Sequence, residues 1–148
     1  MEQIVKIQEI IEEWQKDCVL DVTRIIAGNA NIPLLHSKYS RIYTLEKLML
    51  RRMEAEYKKY KLRKEEFYSN PNQEDIDEFG WKVPARGKIL KQDMERFIEG
   101  DTDIVDKELE IGVQQEKIDL LKSIMQSINA RTFLYKNIIE EKRFEAGG

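Results

Sequence analysis

Apolar residues recur every three or four positions through most of this chain, the spacing of amphipathic α-helices. The first such run extends from about Glu2 to Asp17 and carries a seam of two heptads. Its members are Ile4, Ile7, Ile11, Trp14 and Cys18. A seam of this kind predicts a helix that packs against a neighbour.

Two further helices are expected before residue 69. Asp21 is a candidate N-cap for the second helix, which must kink or end near Ile32 because Pro33 has no amide hydrogen to donate. Ser40 is then the expected N-cap of a longer third helix that extends to about Tyr68. The four residues from Ser69 form turns readily and predict its end.

The remainder of the chain predicts a loop and one more long helix. Residues 69–91 contain two prolines and two glycines and are expected to form the loop, followed by a short amphipathic segment at about 89–98. The last helix is predicted from about Asp103 to Lys142. Its apolar face is too broad for a two-stranded seam and suits a bundle or a higher-order oligomer. The candidate oligomerisation residues on this face are Ile118, Leu121, Met125, Ile128, Tyr135 and Ile139.

These elements predict an all-α fold in which long helices form an elongated helical hairpin or bundle. Charged residues make up 36% of the 148 positions, which leaves only narrow apolar stripes. Helices of this type usually bury their stripes against other chains, so we expect the core to be completed by homo-oligomerisation.

Charge is distributed unevenly along the chain. The overall net charge is only −3, but residues 36–64 hold ten Lys or Arg against three acids, a net of +7. Residues 92–120 reverse this with three basic against ten acidic residues, a net of −7. Segregation of this kind predicts one surface that attracts polyanions and another that repels them or meets a basic partner.

The basic stretch is densest from Tyr57 to Lys64, where aromatic residues alternate with cations. Lys and Arg neutralise phosphates, and aromatic rings can stack on unpaired bases, which together favour single-stranded nucleic acid. The candidate DNA-binding residues are Lys58, Lys59, Lys61, Arg63, Lys64, Arg51, Arg52, Tyr60 and Tyr68. The same pattern also fits a helix whose tyrosines face the core and whose lysines are merely solvated. The net charge of +7 favours binding.

Nothing in the sequence indicates catalysis. The chain has one histidine and one cysteine, no metal-ligand spacing and no Walker A loop, so we expect no enzyme, no cofactor and no metal. A single cysteine, no leader and no long apolar run predict a soluble, intracellular protein without a membrane partner.

Four stretches, in order, resemble the UvsY family of recombination mediators from T-even-like phages. They are the segment from Lys16 to Arg24, Leu35–Tyr39, Met49–Ala55 and Phe67–Ser69, and the closing Arg143–Gly148 matches as well. The family's phosphate-contacting motif alternates Leu-Lys-Ala-Arg-Leu, and Lys61-Leu-Arg-Lys-Glu65 aligns with it. Lys64 falls on the family's arginine and Leu62 on its lysine, so the charges are offset by one residue.

The resemblance implies a mediator that forms a hexameric or heptameric ring and binds single-stranded DNA. It would help displace the phage single-stranded-DNA-binding protein and load the phage RecA-like recombinase in recombination, repair and replication. Its location would be the cytoplasm of the infected bacterial host.

Two classes of function remain open. The first is this DNA-binding mediator, and the second is a helical scaffold or regulatory oligomer whose basic helix binds an acidic protein. In one domain, we expect an N-terminal helical DNA-binding region (1–68), a loop-rich connector (69–101) and a C-terminal oligomerisation helix (102–148).

Overall fold

Six α-helices make up the regular structure in a computed structural model that describes residues 2–147, with side chains from residue 6 onward. Met1, Gly148 and the side chain of Ile4 in the predicted first seam lie outside the described residues. The helices are α1 (Glu2–Asp17), α2 (Ile25–Ala30), α3 (Ile32–Ser69), α4 (Gln73–Phe79), α5 (Lys91–Glu99) and α6 (Thr102–Glu145). The described chain contains no β-strand, which confirms the all-α prediction.

The predicted bounds of α1 are confirmed, whereas α2 and α3 begin elsewhere than expected. Asp21 does not cap a helix: its carboxylate accepts hydrogen bonds from the amide and hydroxyl of Thr23, and α2 begins only at Ile25. Helix α3 begins at Ile32 rather than after Ser40. Helix α2 ends at Ala30, close to the end predicted near Ile32. Pro33 lies in the first turn of α3, where an amide hydrogen has no helical acceptor, so the same proline is accommodated at the start of the next helix.

Residues 69–91 are not loop throughout, because they contain α4. The side chain of Asn72 accepts a hydrogen bond from the amide of Asp75 at 2.8 Å and caps the first turn. Gly80 ends the helix with a φ of 69°, a left-handed conformation that glycine adopts without steric cost.

The chain divides into two compact units, and the long helices contribute to both. The first unit comprises the chain up to Leu48 and from Val113 onward. Its core contains Leu35, Tyr39, Leu121, Ile124 and Ile128, with Trp14 among the residues packed against it. The predicted seam of α1 thus packs in part, but Cys18 follows the end of the helix and is exposed instead of buried.

Polar contacts join the helices of the first unit. Buried Arg131 donates a hydrogen bond to the backbone carbonyl of Asp17 at 2.7 Å. Buried Lys117 lies 3.1 Å from the carboxylate of Glu46. Gly28 leaves room for a close approach here, because a Cβ at this position would overlap the hydroxyl of buried Tyr135 unless that side chain moved.

The second unit comprises residues 49–112. Its core is built from aromatic and aliphatic residues of α3, α5, the start of α6 and the segment after α4. They are Phe67, Tyr68, Trp81, Ile89, Met94, Ile98 and Ile104. Trp81 is only 6% exposed and anchors the segment after α4 onto this core.

Candidate nucleic-acid interface

Four of the predicted DNA-binding residues form an exposed basic face on α3. They are Arg51, Arg52, Lys58 and Lys59, and none of their side chains makes an ion pair or hydrogen bond within the part of the chain that the structure describes. A spacing of seven residues places Lys58 below Arg51, and Lys59 below Arg52, about 10 Å further along the helix. We call these four residues the basic face.

The basic face carries a net positive charge even with its neighbouring acids. Residues 51–61 contain five cations and the two acids Glu54 and Glu56, a net of +3. Lys61 is the fifth cation, but it is half-buried and lines a cavity together with Glu65 and Glu108. The accessible positive charge is therefore concentrated at the four exposed residues.

Arg63 forms ion pairs with two carboxylates of helix α4. One guanidinium nitrogen lies 3.0 Å from the carboxylate of Asp75 and 2.8 Å from that of Glu78. The guanidinium carbon also lies 4.5 Å from the centroid of the Phe79 ring. The hydrogen bond to Asp75 leads the interactions that raise the pKa of Arg63. A phosphate would have to compete with two carboxylates for this side chain.

Lys64 lies in the core of the second unit and not on its surface. Its side chain is 3% exposed, and its ammonium lies 2.9 Å from Asp101 and 2.6 Å from Asp103. Burial opposes the charge, but the hydrogen bonds to Asp103 and Asp101 outweigh burial and raise the pKa of Lys64. A direct phosphate contact, as predicted from the sequence, does not fit this buried and neutralised position.

Tyr68 belongs to the same network. It is 8% exposed, and its hydroxyl donates a short hydrogen bond to Asp101. Burial and then this hydrogen bond raise the pKa of Tyr68 to about 12. Burial opposes ionisation of Asp101 as well, but the hydrogen bonds from Tyr68 and Lys64 lower the pKa of Asp101 overall. Tyr68 is thus unavailable for base stacking.

Tyr60 also faces the interior. Its ring meets that of Trp81 edge-on, with centroids 5.6 Å apart, and the ammonium of Lys107 lies 4.4 Å from the Tyr60 centroid. The prediction that Tyr60 stacks on a base therefore does not fit this geometry. The alternative left open by the sequence, a tyrosine directed to the core, describes Tyr60 in the structure.

The opposite charges of the sequence meet inside each unit. In the second unit Asp101 and Asp103 bind Lys64, and the hydroxyl of Tyr57 donates to Glu108 at 2.5 Å. In the first unit Glu46 binds Lys117. The charge pattern predicted a separate surface for Asp101, Asp103 and Glu108, although opposite charge on two long helices also indicates that the helices pair.

The predicted oligomerisation residues are mostly enclosed by their own chain. Ile118, Leu121, Ile128 and Tyr135 are each less than 5% exposed, and Met125 is half-buried. Only Ile139, at 40%, is exposed. The four buried side chains pack within the first unit and are not available to a second copy.

Other apolar residues of α6 do face outward. Phe133 is 70% exposed and Phe144 is 84% exposed, with Leu134 and Ile139 also exposed between them. These residues form an exposed apolar surface on the C-terminal part of α6.

No helix among residues 2–147 has both the length and the apolar character needed to cross a bilayer. Within the same residues, no three His, Cys, Asp or Glu side chains are grouped as metal ligands.

Comparison with known proteins identifies relatives along nearly the whole chain. Residues 13–148 match the family model for the recombination, repair and ssDNA binding protein UvsY. The recombination protein uvsY of Enterobacteria phage T4 is 25% identical over 142 residues, which span 96% of this chain and 98% of the relative.

Solved structures share the fold. A crystal structure of the bacteriophage T4 recombination mediator protein UvsY (lattice type II) has a TM-score of 0.78 at 23% identity, covering 94% of this chain and 96% of that one. A second crystal form, lattice type I, gives the same TM-score and identity over 93% and 98% of the two chains.

Proposed function

Since this chain belongs to the UvsY family of recombination, repair and ssDNA-binding proteins, we propose that it is a non-enzymatic recombination mediator. It binds single-stranded DNA, helps displace the phage single-stranded-DNA-binding protein and loads a RecA-like recombinase to nucleate the presynaptic filament. Its place of action is the cytoplasm of the infected bacterial host. The observation that carries DNA binding is the basic face, four exposed cations without partners among the described side chains.

The basic face suits a ligand recognised by its backbone. Each Lys or Arg that neutralises a phosphate releases a counterion, and this gain requires no contact with a base. The interior positions of Tyr60 and Tyr68 remove two predicted stacking partners. We therefore infer that phosphate contacts, rather than base stacking by these tyrosines, supply the affinity.

A homo-oligomer would multiply this short basic face. One chain presents two pairs of cations, whereas a ring of six or seven copies would present a long series of them, and such multivalency raises affinity steeply. The exposed apolar residues of α6, including Phe133 and Phe144, support association.

A titration of labelled single-stranded oligonucleotide by fluorescence anisotropy tests the proposal. Wild type should bind at low salt, and the affinity should fall steeply as salt rises. Replacing both Lys58 and Lys59 by Ala should weaken binding and reduce the slope of log affinity against log salt by about 1.4, since each contact to a single strand contributes about 0.7.

Lys122→Ala combined with Lys136→Ala is a matched control, because it also removes two exposed lysines but from α6. Equal losses in the two double variants would show that binding follows total charge and not the basic face. If wild type does not bind the oligonucleotide at low salt but binds an acidic protein, and Lys58→Ala combined with Lys59→Ala weakens that binding, the scaffold function is the correct one.

A further inference from the structure

A groove in the second unit lies between α5 and the segment that precedes it. It has a volume of about 650 Å³ and is open to solvent. Its apolar lining includes Tyr68, Ile89 and Phe97. Its charged lining is Arg86, Arg96, Asp93 and Asp101, of which Asp101 is already bound by Lys64 and Tyr68. We call it the arginine groove. None of the four residues of the basic face lines it.

The guanidinium groups of the two arginines make no ion pair with the described side chains. Arg86 and Arg96 are exposed, and neither has an ion pair or hydrogen bond with any side chain from residue 6 to residue 147. Arg63 and Lys64, by contrast, each contact two carboxylates. A guanidinium binds a carboxylate through two parallel hydrogen bonds, so the groove offers two strong sites for acidic groups.

The charge of residues 82–91 favours an acidic ligand. Residues 82–91 contain Lys82, Arg86, Lys88 and Lys91 and no acid at all. This local excess would attract an acidic partner and orient it toward the groove.

An apolar seat adjoins the arginines. The ring of Phe97 is 38% exposed and meets Tyr68 edge-on, with centroids 4.8 Å apart. Tyr68 is itself held by its hydrogen bond to Asp101. Phe97 packs on a tyrosine that is held in place, so its exposed ring can bury an apolar side chain of a partner.

Asp93 favours an acidic peptide over a nucleic acid as the ligand of the groove. Its exposed carboxylate can only accept hydrogen bonds, and it has no partner among the described residues. A peptide carries backbone N–H donors that can satisfy it, whereas a phosphodiester backbone has no donor and would be repelled.

We propose that the arginine groove binds an acidic peptide segment of a partner protein. Carboxylates of the peptide contact Arg86 and Arg96, an apolar side chain packs on Phe97, and a backbone N–H donates to Asp93. This site goes beyond DNA binding and does not depend on the basic face.

The probe is a short fluorescein-labelled peptide of Asp, Glu and Gly with one Phe, titrated by anisotropy at low salt. A matched peptide contains Asn and Gln in place of the acids. Wild type should bind the acidic peptide and not the amide peptide. Arg86→Ala combined with Arg96→Ala should weaken binding by about tenfold or more, because each substitution removes the charge-assisted hydrogen bonds of one guanidinium to a carboxylate.

Lys82→Ala combined with Lys88→Ala is the matched control. It removes the same two charges from the neighbourhood of the groove, but neither lysine lines it. Its loss of affinity should be much smaller and should vanish at moderate salt, as expected for long-range attraction. All four residues are exposed, and circular dichroism should show unchanged helix content in both double variants.

Three outcomes would overturn the proposal. One is failure of wild type to bind the acidic peptide at low salt, and another is an equal loss in the arginine and lysine double variants. The third is an arginine double variant that keeps the peptide but loses the oligonucleotide, which would assign the groove to nucleic acid. Oligonucleotide binding by wild type is measured separately, so failure of the peptide site and failure of the DNA-binding proposal remain distinguishable.

Discussion

Lys58 and Lys64 lie six residues apart on α3, and their surroundings give them different roles. Lys58 is exposed and has no ion pair in the described chain, so its charge is available to a ligand. Lys64 is buried between Asp101 and Asp103, so its charge stabilises the second unit. We therefore propose that Lys58 acts in binding and Lys64 in folding, although both belong to the same predicted surface.

Substitution separates these two roles. Lys64→Met leaves two carboxylates without their cation, one of them buried, and should lower the free energy of unfolding by about 3–5 kcal/mol. Lys58→Ala should leave that free energy nearly unchanged and lower the affinity for single-stranded DNA. Urea denaturation and oligonucleotide anisotropy on both variants measure this. A fully stable Lys64→Met variant with impaired DNA binding would contradict the assignment.

Asp101 should make the stability of the second unit dependent on pH. Its pKa in the folded chain lies below the ordinary value of 3.8, so its stabilising contribution is complete above that value. The contribution is lost as the pH falls from about 4 through the folded pKa. Urea denaturation at pH 7 and at pH 3 should show that Asp101→Asn destabilises the protein strongly at pH 7 and much less at pH 3.

Glu110→Gln controls for the loss of one negative charge in the same unit, because Glu110 is exposed and has no ion pair among residues 6–147. If Asp101→Asn were equally destabilising at both pH values, the contribution of Asp101 would not depend on its ionisation.

At the scale of the helix, replacing glycine by alanine should have opposite effects on stability at two positions, because the surroundings of the two glycines differ. Gly28→Ala would force a methyl group against the hydroxyl of Tyr135 and should destabilise the protein by about 1–2 kcal/mol, since overpacking outweighs the gain in helix propensity. Gly112→Ala meets nothing within 4 Å inside α6 and should stabilise it by about 1 kcal/mol.

Thermal unfolding followed by circular dichroism measures both variants. The companion change Tyr135→Phe removes the obstructing oxygen and should rescue part of the loss in Gly28→Ala. Stabilisation by Gly28→Ala alone would show that Tyr135 can move aside without cost.

The long helices were predictable because their signal is repeated many times. Periodicity located α1 to the residue, and placed α6 within three residues of its actual ends at Thr102 and Glu145. The start of α3 was missed because Pro33 is compatible with ending one helix or with starting the next. Helix α4 was missed because seven residues carry little periodicity, and its stability depends on the cap from Asn72 and on contacts with Arg63.

The candidate interface was predictable as a segment but not residue by residue. The net charge of α3 can be read from the sequence, but the burial of Lys64 cannot. It depends on Asp101 and Asp103, which lie 37 and 39 positions further along the chain. Leu62 and Lys64 align with the family's lysine and arginine, but Leu62 is 57% exposed and Lys64 is buried. The cations left for DNA lie earlier on the helix, at the basic face.

For the molecule as a whole, the exposed side chains of α6 are the ones that should control assembly. Phe133→Ser combined with Phe144→Ser removes two outward rings and should reduce the oligomer mass in sedimentation equilibrium while helix content is retained. Leu121→Ala instead opens a cavity in the first unit and should cost about 2–5 kcal/mol of stability. An unchanged mass in the double Phe variant would place the contact between copies elsewhere.

Cys18 gives a direct way to count the copies in such an assembly. It is the sole cysteine of the sequence, and its thiol is exposed just after α1. A maleimide dye would therefore attach once per chain, at an exposed position outside the core of the first unit. The number of photobleaching steps from a single labelled particle would then equal the number of subunits, so that rings of six and of seven could be told apart one molecule at a time.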